Sequence, residues 1–162
     1  MRPATNPTAL RVQAQLDALG LGHQIVEFEQ TTRTAADAAA AIGCQIGQIV
    51  KTLVFRGATS GQAVLALVSG ANRASEQRLA ALVGEPIGKA DADFVRATTG
   101  YAIGGVCPVG LPENVHTFID QDLNTYAEIW AAGGTPASVF RLTPDDLVRM
   151  TGGRVALLAI SH

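Results

Sequence analysis

Charge is scarce in this sequence. Asp, Glu, Lys and Arg make up 16% of its 162 residues, against about 25% in an average soluble domain. Apolar residues make up 48%, which argues against disorder and for a compact globule with few solvated charged faces. The net charge is -2, so the chain is no bulk polycation and duplex-DNA binding is not expected. A small local basic patch stays open. Lysine is the scarcest charge of all: Lys51 and Lys89 are the only two, and the other basic residues are arginine.

Metal-binding and redox patterns are also missing. Cys44 and Cys107 stand at a separation that fits no zinc or redox spacing. The three histidines, at 23, 116 and 162, are scattered. No metal site and no cofactor is expected. The N-terminal MRPATNPTAL has no apolar signal-peptide region, and no apolar run approaches the ~20 residues that span a bilayer. The expectation is a cytoplasmic protein with reduced thiols and no membrane partner. There is no internal repeat, GxGxxG, Walker loop, Ser-His-Asp pattern or pair of loop carboxylates.

What is present reads as one α+β domain, 1–162, around a mixed, barrel-like sheet flanked by helices. Helical spacing covers 8–19, stopped by Gly20 and Gly22. Thr34, Ser75, Asp91 and Thr143 are N-cap signals, answered by Gly43, Gly84, Gly100 and Gly152 at the far ends. Alternation or apolar runs predict strands at 23–29, 49–55, 62–69, 85–89, 116–120, 126–132, 138–142 and 154–160. The strands 49–55 and 62–69, joined by RGATSG, read as a hairpin buried on both faces. A short helical turn is expected near Asp122.

Three stretches break local rules, and such places often carry function. The first is Lys51 in QIVKTLVFRG. Side chains alternate along a strand, so Lys51 shares a face with Ile49, Leu53 and Phe55. An edge gatekeeper or a snorkelling side chain would explain it. So would a pocket wall, where the ammonium meets a ligand anion or a developing oxyanion. The second is YAIGGVCPVG: Gly104 and Gly105 can turn amide N–H groups toward a ligand, in an irregular stretch too long for an ordinary turn. The third is Gly133–Gly134, a bulge or bend between two strands or a second set of donors. Cys107 reads better as a small packed thiol than as a nucleophile. Trp130 and Tyr126 read as core or rim aromatics. A toolkit of one lysine and backbone amides suits an already activated ester.

Five ordered stretches, QIGQIVKTLVFRG, VLALVSGANRASEQRLAALVG, TGYAIGGVCPVG, IWAAGG and TPDDLVRMTGG, resemble the YbaK/ProX type of aminoacyl-tRNA deacylase, related to the editing domain of bacterial prolyl-tRNA synthetases. The resemblance runs from about Thr8 to Ile160. It implies hydrolysis in trans of a mischarged aminoacyl-tRNA, a small amino acid on tRNA-Pro. The partners it implies are the aminoacyl-tRNA acceptor end and, as a further candidate, prolyl-tRNA synthetase. It implies that Lys51 anchors the substrate's 3′ end and helps polarise the site, that Gly104 and Gly105 donate N–H groups, and that Gly133 and Gly134 form a second backbone loop. Asn72 stands where Asp or His is common, Cys107 before Pro108 where Ser is expected, and Thr135 where Ser is common. These positions are expected in or near the amino-acid pocket and leave its specificity open. The alternatives are a non-catalytic tRNA- or nucleotide-binding module of the same fold, a structural or interaction domain, and a Cys107 hydrolase.

Overall fold

The computed structural model describes residues 1–30, 32 and 34–160; the third histidine, His162, lies outside them. In chain order the elements are β1 (Arg2–Pro3), α1 (Pro7–Leu19), β2 (Ile25–Glu27), α2 (Ala35–Ile42), β3 (Val50–Gly57), β4 (Ala63–Ser69), α3 (Glu76–Val83), β5 (Ile87–Lys89), α4 (Ala92–Thr99), β6 (His116–Asp120), β7 (Ile129–Ala132), β8 (Ser138–Leu142), α5 (Pro144–Thr151) and β9 (Arg154–Ala156). Short 3-10 turns, Ile46–Gln48 and Gln121–Thr125, lead into β3 and follow β6. The helix limits follow from local chemistry. Thr34, Ser75, Asp91 and Thr143 each accept a backbone N–H at a helix start, and the closing glycines take positive φ, where a side chain would be strained.

The strands form two sheets. One is antiparallel, ordered β1-β2-β8-β7; the other is mixed, ordered β5-β3-β4-β6-β9, with β4, β6 and β9 parallel. A parallel bridge between Ile49 and Trp130 links the sheets. β4 is buried along its whole length. Leu65 and Leu67 face the main core with Leu16, Ile119 and Phe140, while Val64, Ala66 and Val68 face a second core with Phe55 and Leu79. A strand covered on both faces reads as a continuous apolar run. Its partner β3 differs from the expectation: the stretch 51–54 is only half-buried.

Three predicted strands are longer than the observed ones by three residues or more. His23 turns into the core, where Nε2 meets Asp146 Oδ2 at 3.0 Å. Residues 126–128 continue the approach from the 3-10 turn, and β7 begins at Ile129. After Ala156 the chain leaves β6 and pairs with the 73–75 segment, through an antiparallel Ala74–Ala159 bridge and Ile160 N–H donating to Arg73 O. In the first and third cases a distant partner overrides the local alternation; in the second, Tyr126 N–H still donates back to Leu123 O of the turn.

The corner after β4 leaves no room beside the backbone. Gly70 N–H donates to Ile49 O at 2.7 Å, and a Cβ on Gly70 would lie 2.3 Å from the Ile46 carbonyl oxygen. Gly70→Ala should cost about 2 kcal/mol, the scale of an overpacked site, read as a lower denaturant midpoint. An unchanged midpoint would contradict the packing described.

Candidate active site

From their bridge at Ile49 and Trp130, β3 and β7 run on in the same direction without further pairing. β5 covers β3 only from Phe55 to Gly57. Residues 50–54 therefore have β4 on one side and an open edge on the other. A cavity of about 510 Å³ fills this opening, between Val50–Leu53 on one wall and Trp130–Ala132 on the other. The start of α2, Ile103–Gly104 and Pro136 complete its rim. This size suits a small ligand or the end of a larger one. Among the described residues lining it, Lys51 is the one charged side chain. Thr52 Oγ1, on the same wall, is buried with no hydrogen-bond partner among the described residues.

The Lys51 ammonium is held from behind. Nζ donates to the backbone carbonyl of Asn72. The Asn72 side-chain amide in turn donates to Asp120 at 2.9 Å and to Asp122 at 2.7 Å. Asp120 is fully buried, and also accepts the Ser69 and Asp122 N–H groups. Burial pushes the Lys51 pKa below its ordinary 10.5; the Asp120 carboxylate pulls it back up and the nearby Arg73 charge lowers it. Position 72 thus bridges two carboxylates through an NH₂ group. An Asp there would add a third acceptor-only group to the cluster.

The glycine loops pack against each other. A Cβ on Gly105 would lie 2.8 Å from Thr135 Cα and 3.1 Å from Gly134 O, so only glycine allows this approach. The sequence reading offered all four glycines as donors, and the structure divides them. Gly105 N–H donates to Ala102 O at 3.0 Å, and Gly133 N–H to Ser138 O at 2.8 Å. The Gly104 and Gly134 amides have no partner among the described residues. Gly104, at φ +87°, lies on the cavity rim, whereas Gly134 backs onto Val12 and Thr8 of α1. Thr135 hydrogen-bonds Ser138 Oγ, which fixes the bend.

The structure therefore brings Lys51 and Gly104 to one cavity. Asn72, Gly105, Gly133, Gly134 and Thr135 stand behind its walls. Cys107 and Pro108 are buried away from it. Cys107 is 0% exposed in the main core, and burial pushes its thiol up to about 12. It is protonated and enclosed, unlike a reactive cysteine. Among the described residues no group of three or more His, Cys, Asp or Glu could hold a metal ion. No helix among them is long and apolar enough to cross a membrane. The sequence reading missed Asp120, Asp122, Thr52 and the α2 rim. Asp120 ends an ordinary apolar strand, and only the fold shows what it meets.

A lysine whose pKa burial lowers carries an uncompensated cost while charged. The unfolded chain holds that proton more tightly, so stability rises with pH between the folded and unfolded values. Lys51→Met should melt at or above wild type at pH 7, with the gap closing as pH rises toward 10.5. Thermal melts across that range check it. A variant melting far below wild type at pH 7 would make Lys51 a structural residue.

Comparison with known proteins gives the family. The family model for the aminoacyl-tRNA editing domain matches residues 29–150. A solved structure described as a "putative trans-editing enzyme for prolyl tRNA synthetase" is 47% identical, with a TM-score of 0.91 over 98% of this chain and 100% of that one. The Enterococcus faecalis protein named "Putative Cys-tRNA(Pro)/Cys-tRNA(Cys) deacylase EbsC" is 28% identical over 76% of this chain and 75% of its own. "Uncharacterized protein YwhH" of Bacillus subtilis is 29% identical over 82% and 84%. With three quarters of its length matched by the family model, the chain belongs to the aminoacyl-tRNA editing domain family.

Proposed function

We propose that this aminoacyl-tRNA deacylase works in trans, in the cytoplasm, removing a small, wrongly attached amino acid from tRNA-Pro. The observation that carries the reading is the cavity itself: about 510 Å³, with one cation and no carboxylate among the described residues on its wall. Among its described residues such a site has no cysteine, histidine or carboxylate to act as nucleophile or general base. It fits an ester already activated by its ribose leaving group, needing only water, orientation and a stabilised oxyanion. Names among the relatives support the substrate: one refers to Cys-tRNA(Pro) and another to prolyl-tRNA synthetase.

In this reading Lys51 anchors the 3′ end through a phosphate or ribose oxygen. Binding an anion there raises its lowered pKa and keeps it charged. The Gly104 amide donates to the carbonyl oxygen as negative charge develops. Water adds to the carbonyl carbon and the acyl–oxygen bond to the ribose breaks. The water's second proton ends on the ribose hydroxyl, helped by the vicinal hydroxyl of the tRNA. The products are the free amino acid and intact tRNA. Prolyl-tRNA synthetase is the natural companion, since it makes the mischarged ester.

The test is deacylation of Ala-, Cys-, Ser- and Pro-tRNA-Pro by wild type and Lys51→Ala. One small-residue ester should be lost faster than Pro-tRNA-Pro, and Lys51→Ala should slow it by roughly 100-fold or more. Equal turnover by the variant would overturn the role of Lys51. No turnover of any ester by a folded wild type that still binds tRNA would replace the deacylase with a binding module.

A further inference from the structure

A second cleft, of about 960 Å³, opens on the same face of β3. Leu53 lines both the cleft and the cavity, and Phe55 continues the shared face. The far wall carries Arg73 and Lys89. Lys89 lies directly across the strand pair from Phe55, four residues beyond Lys51, or about 13 Å at ~3.3 Å per residue. Arg73 sits between: it lines the cleft, and its charge acts on the Lys51 ammonium. Neither Arg73 nor Lys89 has a side-chain hydrogen bond or ion pair among the described residues. The opposing carboxylate on the cleft wall is Glu76.

The distribution of charge is the argument. The whole chain is acidic, at net -2, with two lysines in total. Both lie along this one face, with an arginine between them that has no side-chain partner among the described residues. A lone aminoacyl ester fits inside the first cavity and has no use for a cation ~13 Å away. An extended polyanion entering that cavity by its end has use for all three. We propose that the Arg73–Lys89 cleft binds the phosphodiester backbone of the single-stranded RNA tail that leads into the Lys51 cavity. This rests on the proposed function, and adds a track that fixes the direction in which the strand approaches. Such a contact reads backbone charge rather than sequence, and its strength falls with salt.

Lys89 is the clean probe. It is exposed at a strand end, whereas Arg73 also acts on Lys51. Fluorescence anisotropy with an uncharged RNA hairpin carrying a single-stranded 3′ tail gives the affinity, from low to moderate salt. Lys89→Gln should weaken binding roughly fivefold to tenfold and lower the salt slope by about 0.7, the value of one single-strand phosphate contact. Lys89→Glu should weaken it further. The same hairpin without its tail should not distinguish either variant from wild type. Equal affinity of wild type and both variants for the tailed hairpin would overturn the cleft. So would equal weakening on the tailless hairpin, which would place Lys89 on duplex instead. Tail binding that depends on Lys89, without deacylation by wild type, would keep the cleft and remove the enzymatic reading. Deacylation with no Lys89 effect would do the reverse.

Discussion

A carboxylate with no exposed surface organises this molecule. Asp120 ends β6 and collects three donors: the Ser69 N–H at the end of β4, the Asp122 N–H of the following turn, and the Asn72 side chain. A buried charge is tolerated when its hydrogen bonds are made, and here three N–H donors make them. Lys51 is held one step away through the Asn72 carbonyl, where the Asp120 carboxylate offsets part of what burial costs the ammonium. The same bonds that stabilise Asp120 fix the corner after β4, the Asn72 loop and the ammonium. Structure and site share one network.

That arrangement explains how a lysine can stand on an apolar strand face. The open edge of β3 is left uncovered because β5 is short, and among the described residues the backbone bridge between the two sheets is Ile49–Trp130 alone. The divergence of β3 and β7 makes the cavity; the Asp120–Asn72 support aims a partly desolvated cation along it. The glycine loops add a wall of backbone, close-packed at Gly105 and with an uncommitted amide at Gly104. Such a site is preorganised, which is what electrostatic stabilisation of a developing charge requires.

The parts of this legible in sequence were the local ones. Caps at Thr34, Ser75, Asp91 and Thr143 and the glycines that close their helices are set by chemistry within a few residues. The oddity of Lys51 was visible because alternation fixes which neighbours share its face. What stayed hidden depends on contacts between distant residues. Asn72 and Asp120 are 48 positions apart, and no spacing rule connects them. The strand ends at 157–160 were overrun because their alternation is real, but their partner is the 73–75 segment rather than β6. Asn72 and Thr135 are expected in or near the pocket, and both stand near it, behind the wall, as supports.

Lys51 is a partly desolvated cation steadied by Asp120. With two lysines in the chain, NMR titration of the lysine side chains reads it directly. Lys51 should titrate clearly below 10.5, and lower still in Asp120→Asn, where the supporting charge is gone. A Lys51 that titrates at 10.5, indifferent to Asp120, would contradict it.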